Sequence, residues 1–201
     1  EIVILSAGVF TRYVLGNPLV WSDELATFVF LWLAMLGAVV AYRRGEHISL
    51  SVLVRRSPPR TRQVLETIAS VVAVIVAIEL IPATVKFFNL EKVDFTPALS
   101  LSRSWEVAAV ITCLALILVL AVLRLTEQDP KVVAGVVLAA VAISALMWFE
   151  RGAFAGLGNV NLVLFFVVLT GACIAIGVPI AFSFGLGTVS YILIVTHVGP
   201  D

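Results

Sequence analysis

Residues 22–44 read SDELATFVFLWLAMLGAVVAYRR. Residues 25–42, eighteen in a row, carry no charge. At about 1.5 Å per residue a helix of that length measures ~27 Å, close to the ~30 Å of hydrocarbon in a bilayer. Apolar side chains would cover every face, so the helix has no wet side to turn toward water. Its ends carry the expected marks. Ser22 is placed to cap, and Asp23 and Glu24 fall in the first turn, where carboxylates suit the helix dipole. Trp21 is an interfacial anchor, and Arg43 with Arg44 closes the far end. The segment predicts a membrane span.

Working outward, the same block structure recurs. Residues 2–15 form an apolar block carrying Arg12, broken by Gly16-Asn17-Pro18. This block is short for a span, and the expectation is that its helix lacks its beginning. Further apolar blocks occupy 64–88, 105–125 and 132–149, with Pro58-Pro59 suited to opening the third and Asp129-Pro130 in a polar break before the fifth. The last block, 160–195, would be about 54 Å long as one helix, more than one straight span uses. Gly177-Val178-Pro179 is where it kinks or reverses, and either remains open. Of 201 residues 61% are hydrophobic and 13% charged, too few charges to clothe a water-soluble domain. The fold class is therefore all-α, a multi-span helical integral membrane protein.

The 13 basic and 13 acidic residues cancel, so no global field points to a nucleic acid. Arginines are concentrated in one place. Arg43, Arg44, Arg55, Arg56, Arg60 and Arg62 crowd residues 43–62. With Arg124 and Lys131 they set eight basic residues against five (Arg12, Lys86, Lys92, Arg103, Arg151), which places the N-terminus in the cytoplasm and 89–104 outside. Arg55, Arg56, Arg60 and Arg62 suit anionic phospholipid headgroups, and 46–56 suits an interfacial helix.

Few residues offer chemistry. Glu79 lies inside a span, ~22 Å along the helix from Val64 and towards the outer interface, with Lys86 on roughly the same face; an acid there sits near the outer headgroups, is satisfied by a neighbouring helix, or serves ion or proton movement. His47 and His197 are the only histidines, one in the basic loop and one near the chain end, so they do not form a haem pair at matched depth. No metal-ligand spacing, phosphate-cradling loop or nucleophile–base pair is present, and the chain reads as neither an enzyme nor a cofactor carrier. Cys113 and Cys173 sit in apolar blocks as small hydrophobes. Small residues at helical spacing (Ala34 with Ala38, Gly37 with Ala41, Gly171 with Ala175) would permit close helix contact. Residues 89–97 mix charges and aromatics, as either a solvated connection or a docking edge.

A family resemblance enters at residues 17–53, NPLVWSDELATFVFLWLAMLGAVVAYRRGEHISLSVL. The ordered set Pro18, Trp21, Ser22, Asp23, Glu24, Gly37, Arg43, Arg44, Gly45, Glu46 and His47 resembles the small membrane subunit of tripartite ATP-independent periplasmic (TRAP) transporters. Thr96-Pro97-Ala98-Leu99 followed by Trp105 is a second match. Gly177-Val178-Pro179-Ile180-Ala181-Phe182 is similar to the start of the family's large membrane subunit. Two positions depart: Ser51 stands where the family often has an acid, and Leu101-Ser102 where it often has Ile-Pro.

The resemblance implies a four-helix small-subunit domain over 1–125, a linker with an extra span over 126–159 and the start of a large-subunit domain over 160–201, parts of a fused protein. It implies a bacterial or archaeal cytoplasmic membrane and sodium-driven import of organic acids, such as C4-dicarboxylates or sialic acid-like sugar acids, with a periplasmic substrate-binding protein. Sodium and substrate would bind a large subunit beyond this chain, leaving this part as scaffold. Lys86, Glu91, Lys92, Asp94 and Arg103 would form part of a docking rim. The rival readings are a membrane anchor of a respiratory enzyme complex and an assembly protein without a transport role.

Overall fold

The computed structural model describes residues 1–17, 19–44, 58–155 and 158–195. Pro18, Gly45, Glu46, His47, Ser51, Arg55, Arg56, His197 and the interfacial helix expected over 46–56 lie outside the described residues. The described chain runs α1 (Ile2–Tyr13), α2 (Val20–Arg44), α3 (Pro59–Glu91), α4 (Ser104–Thr126), α5 (Pro130–Phe149), the short α6 (Arg151–Ala155), α7 (Val160–Ile176) and α8 (Ile180–Val195). Helices α2 to α5 are each long and apolar enough to cross a membrane. The protein is an all-α, multi-span membrane protein.

Hydrocarbon offers no hydrogen bonds, so each helix must satisfy its own polar atoms. Along the spans Thr67, Ser70, Thr84 and Thr112 do this by donating their hydroxyls to the carbonyl four residues back. At the helix starts, α3 opens with Pro59, where the missing N–H costs nothing. α5 opens with Pro130 behind Asp129, whose carboxylate accepts from the Lys131 N–H at 3.0 Å. Asp129-Pro130 is thus more than a polar break: it is a cap and a first turn. Ser22, expected to cap α2, does not. The helix begins at Val20, and Ser22 is buried inside the first turn, donating to the Leu19 carbonyl at 2.7 Å.

The chain divides into two compact units. One comprises Glu1–Arg44 and Leu80–Leu116, the other Gly45–Glu79 and Ile117–Asp201. In the first, α1 and α2 form a hairpin. A Cβ on Gly8 would stand 2.6 Å from the Ser22 Oγ, so this close approach depends on glycine. Arg12 and Asp23 pair across the hairpin at 3.3 Å, both well exposed, a weak contact that aligns more than it stabilises.

In the second unit the long 160–195 block resolves into a hairpin. Helix α7 ends at Gly177, which takes a left-handed φ of 100°. Its N–H donates to the Ile174 carbonyl and that of Val178 to the Cys173 carbonyl, closing the helix before Pro179 prevents its continuation. The chain then reverses. Thr170 approaches Ser183, and Phe165 approaches Gly187 and Tyr191. Residues Leu164–Leu169 of α7 are π-helical, and the Thr170 hydroxyl donates to the Phe165 carbonyl five residues back at 3.0 Å. A Cβ on Gly187 would lie 2.9 Å from both the Phe165 carbonyl oxygen and the Thr170 Oγ1. Helix α8 also meets α3, where a Cβ on Gly185 would lie 2.9 Å from a Val76 methyl.

Of the small residues singled out by spacing, the two glycines do not bring helices together. A Cβ on Gly37 or Gly171 meets nothing within 4 Å. Gly8, Gly185 and Gly187 carry the close contacts instead. Gly187→Ala is expected to destabilise the detergent-solubilised protein by about 1–3 kcal/mol, because a fixed backbone carbonyl blocks the added methyl. Gly37→Ala should be neutral to within about 0.5 kcal/mol. Thermal unfolding followed by circular dichroism checks both, and equal losses would refute the assignment of Gly187 as the contact.

Candidate functional site: the loop held by Glu24

The polar chain between α3 and α4 is folded as tightly as the helices it joins. Phe95 and Ser102 form an isolated antiparallel bridge. The Thr96 N–H donates to the Leu101 carbonyl at 2.8 Å, and the Arg103 N–H to the Asp94 carbonyl at 2.9 Å. Inside the turn the Ser100 N–H returns to the Thr96 carbonyl, and the buried Thr96 hydroxyl accepts from the Leu101 N–H. Ser100 pays for this tightness with a left-handed φ of 51°. Pro97 has no N–H to satisfy and a fixed φ, which suits a turn.

Glu24, at the start of α2, holds this loop. One carboxylate oxygen accepts from the Ala98 N–H and the other from the Leu99 N–H, each at 2.9 Å. A carboxylate satisfying two consecutive backbone donors is a charge-assisted clamp with a defined direction. It also settles a point of topology. The α1–α2 connection and the α3–α4 loop lie at the same end of this unit, as spans that alternate in direction require.

Ser102 stitches the two helix ends. Its hydroxyl reaches the Glu91 and Lys92 carbonyls at 3.2 and 3.3 Å and the Ser104 hydroxyl at 2.7 Å, while the Ser104 N–H donates back to it. The departure at Leu101-Ser102 thus has a local role that a proline, without a hydroxyl, could not perform.

Of the residues expected for the rim, Glu91, Lys92, Asp94 and Arg103 lie at this loop's base. Glu91 ends α3, the Lys92 ammonium lies 5.0 Å from the centre of the Phe88 ring, and Asp94 and Arg103 are bridged through their backbones at the loop's base. Lys86 lies further back on α3. Val93, Phe95 and Trp105 are exposed beside them, as is Trp21 at the start of α2. At the far end of the spans Arg43 and Arg44 close α2. Arg60 and Arg62 lie in the opening turns of α3, with Arg62 paired to Glu66 at 2.7 Å.

Glu79 is not part of this site. It lies on an exposed face of α3, twelve residues or about 18 Å before Glu91. No hydrogen bond or ion pair to its side chain is present among the described residues.

In the sequence Asp23 and Glu24 stand out as dipole-favoured carboxylates and as part of one family motif, and the Thr96–Leu99 turn as a separate match. Their contact spans 74 and 75 residues, and no local pattern encodes it. Among the described residues no group of three or more His, Cys, Asp or Glu could hold a metal ion.

Long apolar helices joined at one end by a locked polar loop define a multi-span membrane component. A family model for "Tripartite ATP-independent periplasmic transporters, DctQ component" matches residues 1–131, and the chain belongs to this family. Among curated relatives, it is 26% identical to the sialic acid TRAP transporter permease protein SiaT of Haemophilus influenzae over 94% of this chain and 32% of that protein. A putative TRAP transporter small permease protein of the same species is 30% identical over 47% of this chain and 59% of the relative. The sialic acid TRAP transporter small permease protein SiaQ of Vibrio cholerae is 29% identical over 38% of this chain and 44% of the relative. The chain thus spans less than two thirds of each of these relatives. The match to SiaT runs beyond residue 131, into the region of α7 and α8.

Two outcomes test the site. Glu24→Ala should raise backbone hydrogen exchange across 93–103 while leaving the helices protected, and unchanged exchange would show that the loop holds itself. Glu79→Gln should leave the stability of this chain within about 0.5 kcal/mol, because no contact of the described chain is lost. A larger loss in thermal unfolding would reveal a partner for the carboxylate.

Proposed function

We propose that this chain is the fixed scaffold of a sodium-coupled, binding-protein-dependent importer of organic acids. The match to the DctQ component over residues 1–131 carries this reading. The relatives' names supply the substrate class: sialic acid for SiaT and SiaQ, and C4-dicarboxylate for small permease proteins of Vibrio cholerae and Rhodobacter capsulatus. An acid of this kind is the cargo, and the relatives' roles as permease components argue for transport rather than enzymatic chemistry.

On this proposal residues 1–125 are the small-subunit domain, 126–159 a linker with its own span, and 160–201 the start of a large-subunit domain in a fused protein. The match to SiaT along 94% of the chain supports the fusion. Contact between α3 and α8 at Val76 and Gly185 supports packing of the first domain against the last. The remaining large subunit would hold sodium and substrate. The arginine bias supports an N-terminus in the cytoplasm of an inner-membrane protein, with the loop at 92–103 facing the periplasm. There, Lys92, Asp94, Arg103 and the exposed Phe95 and Trp105 would receive the substrate-binding protein. A loop held rigid by Glu24 suits that task, since a preordered surface loses less entropy on docking.

The test is sodium-driven uptake in proteoliposomes containing the full gene product, with a panel of organic acids and the cognate soluble binding protein. Uptake should need sodium and the binding protein, and Glu24→Ala should weaken the dependence on binding-protein concentration without removing sodium coupling. Uptake indifferent to both would overturn the proposal.

A further inference from the structure

Within the first unit, α2, α3 and α4 leave an open groove of about 460 Å³. Leu31, Ala83, Phe87 and Val110 line its apolar part, and Glu106 is the one charged residue on its wall among the described residues. The groove has a polar end and an apolar end. Glu106 is two residues into α4, about 3 Å from its start; Val110 lies about 9 Å in, and Leu31 about 16 Å from the start of α2. It therefore runs from headgroup depth into hydrocarbon. The Glu106 carboxylate has no ion pair or hydrogen bond among the described residues, and the first turn of α4 favours negative charge there.

We propose that this groove binds a phospholipid with a primary-ammonium head, one acyl chain lying along Leu31, Ala83 and Val110 and the ammonium on Glu106. Three comparisons select that occupant. A helix is about 10 Å across, so 460 Å³ would take only about one turn of it, whereas a single hydrocarbon chain is narrow enough to fill the space. An anionic headgroup would meet an unpaired carboxylate of its own sign. A quaternary ammonium carries no N–H to donate, whereas an ethanolamine head offers three. The proposal requires only that this unit lies in a bilayer. It does not rest on the transport reading, and its measurement involves no uptake.

The test is native mass spectrometry of the purified chain equilibrated with equal amounts of dioleoyl phosphatidylethanolamine, phosphatidylcholine and phosphatidylglycerol. One phosphatidylethanolamine should be retained about fivefold over either competitor, the scale that a half-exposed ion pair supplies. Glu106→Gln should remove the preference while lipid is still bound, and Ala83→Trp, which fills the apolar part, should remove retention. Helix content measured on each variant identifies any that fails to fold, and the Glu106→Gln comparison stands if Ala83→Trp does. Equal retention of the three lipids by the native chain, retention of none, or a preference that survives Glu106→Gln would each overturn the proposal.

Discussion

Every backbone N–H and C=O that enters hydrocarbon must find its partner within the protein, and the architecture follows from this constraint. It forces the spans to be helical and confines most irregular backbone among the described residues to the places where helices stop. Each stop is chemically prepared. Asp129 supplies an acceptor ahead of Pro130, Gly177 turns left-handed so that two N–H groups reach back to α7, and the Ser102 hydroxyl closes the last carbonyls of α3. Hydroxyls inside the spans obey the same rule. Thr67, Ser70 and Thr84 are tolerated on α3 because each returns its proton to its own helix.

The same constraint explains why the spans were legible. A run such as 25–42 has only one way to satisfy eighteen backbone units in lipid, so its structure follows from composition. The family resemblance rested on clusters at span ends, where backbone needs and polarity narrow the choice of residue, and the match over residues 1–131 agrees with it. Ser22 is no cap because a capping residue is set by where a helix starts, and α2 starts three residues earlier than a cap at Ser22 requires. The reversal at Gly177-Val178-Pro179 was visible as a break but not as a hairpin. A kink and a reversal use the same residues, and only contacts such as Thr170 with Ser183 distinguish them.

Helix contacts were the least legible feature. A glycine permits close approach but does not say to what. Gly37 and Gly171 sit in attractive small-residue spacings and meet open space, whereas Gly187 lies against a carbonyl of the π-helical turn at Leu164–Leu169. That turn widens the helix locally and shifts the face it presents, so a periodicity of 3.6 residues cannot locate the contact. The Glu24 clamp escaped for a related reason. Its donors belong to backbone, and backbone leaves no trace in residue identity. What the sequence held was the acid on one segment and the turn on another, without the 2.9 Å that joins them.

The clamp and the groove share a physical logic. Unit one places two acids near the same ends of its helices, Glu24 and Glu106, and the structure treats them differently. Glu24 is spent internally: two backbone donors occupy its oxygens and fix the loop. Glu106, beside an apolar groove, has no ion pair or hydrogen bond to its carboxylate among the described residues, which leaves it open to water or to a bound group. The first acid orders its own loop, the surface proposed to meet a partner outside the membrane; the second is the acid proposed to hold a lipid head. Both would serve the proposed scaffold role, which asks for a rigid outer surface and a fixed depth and orientation in a fluid bilayer.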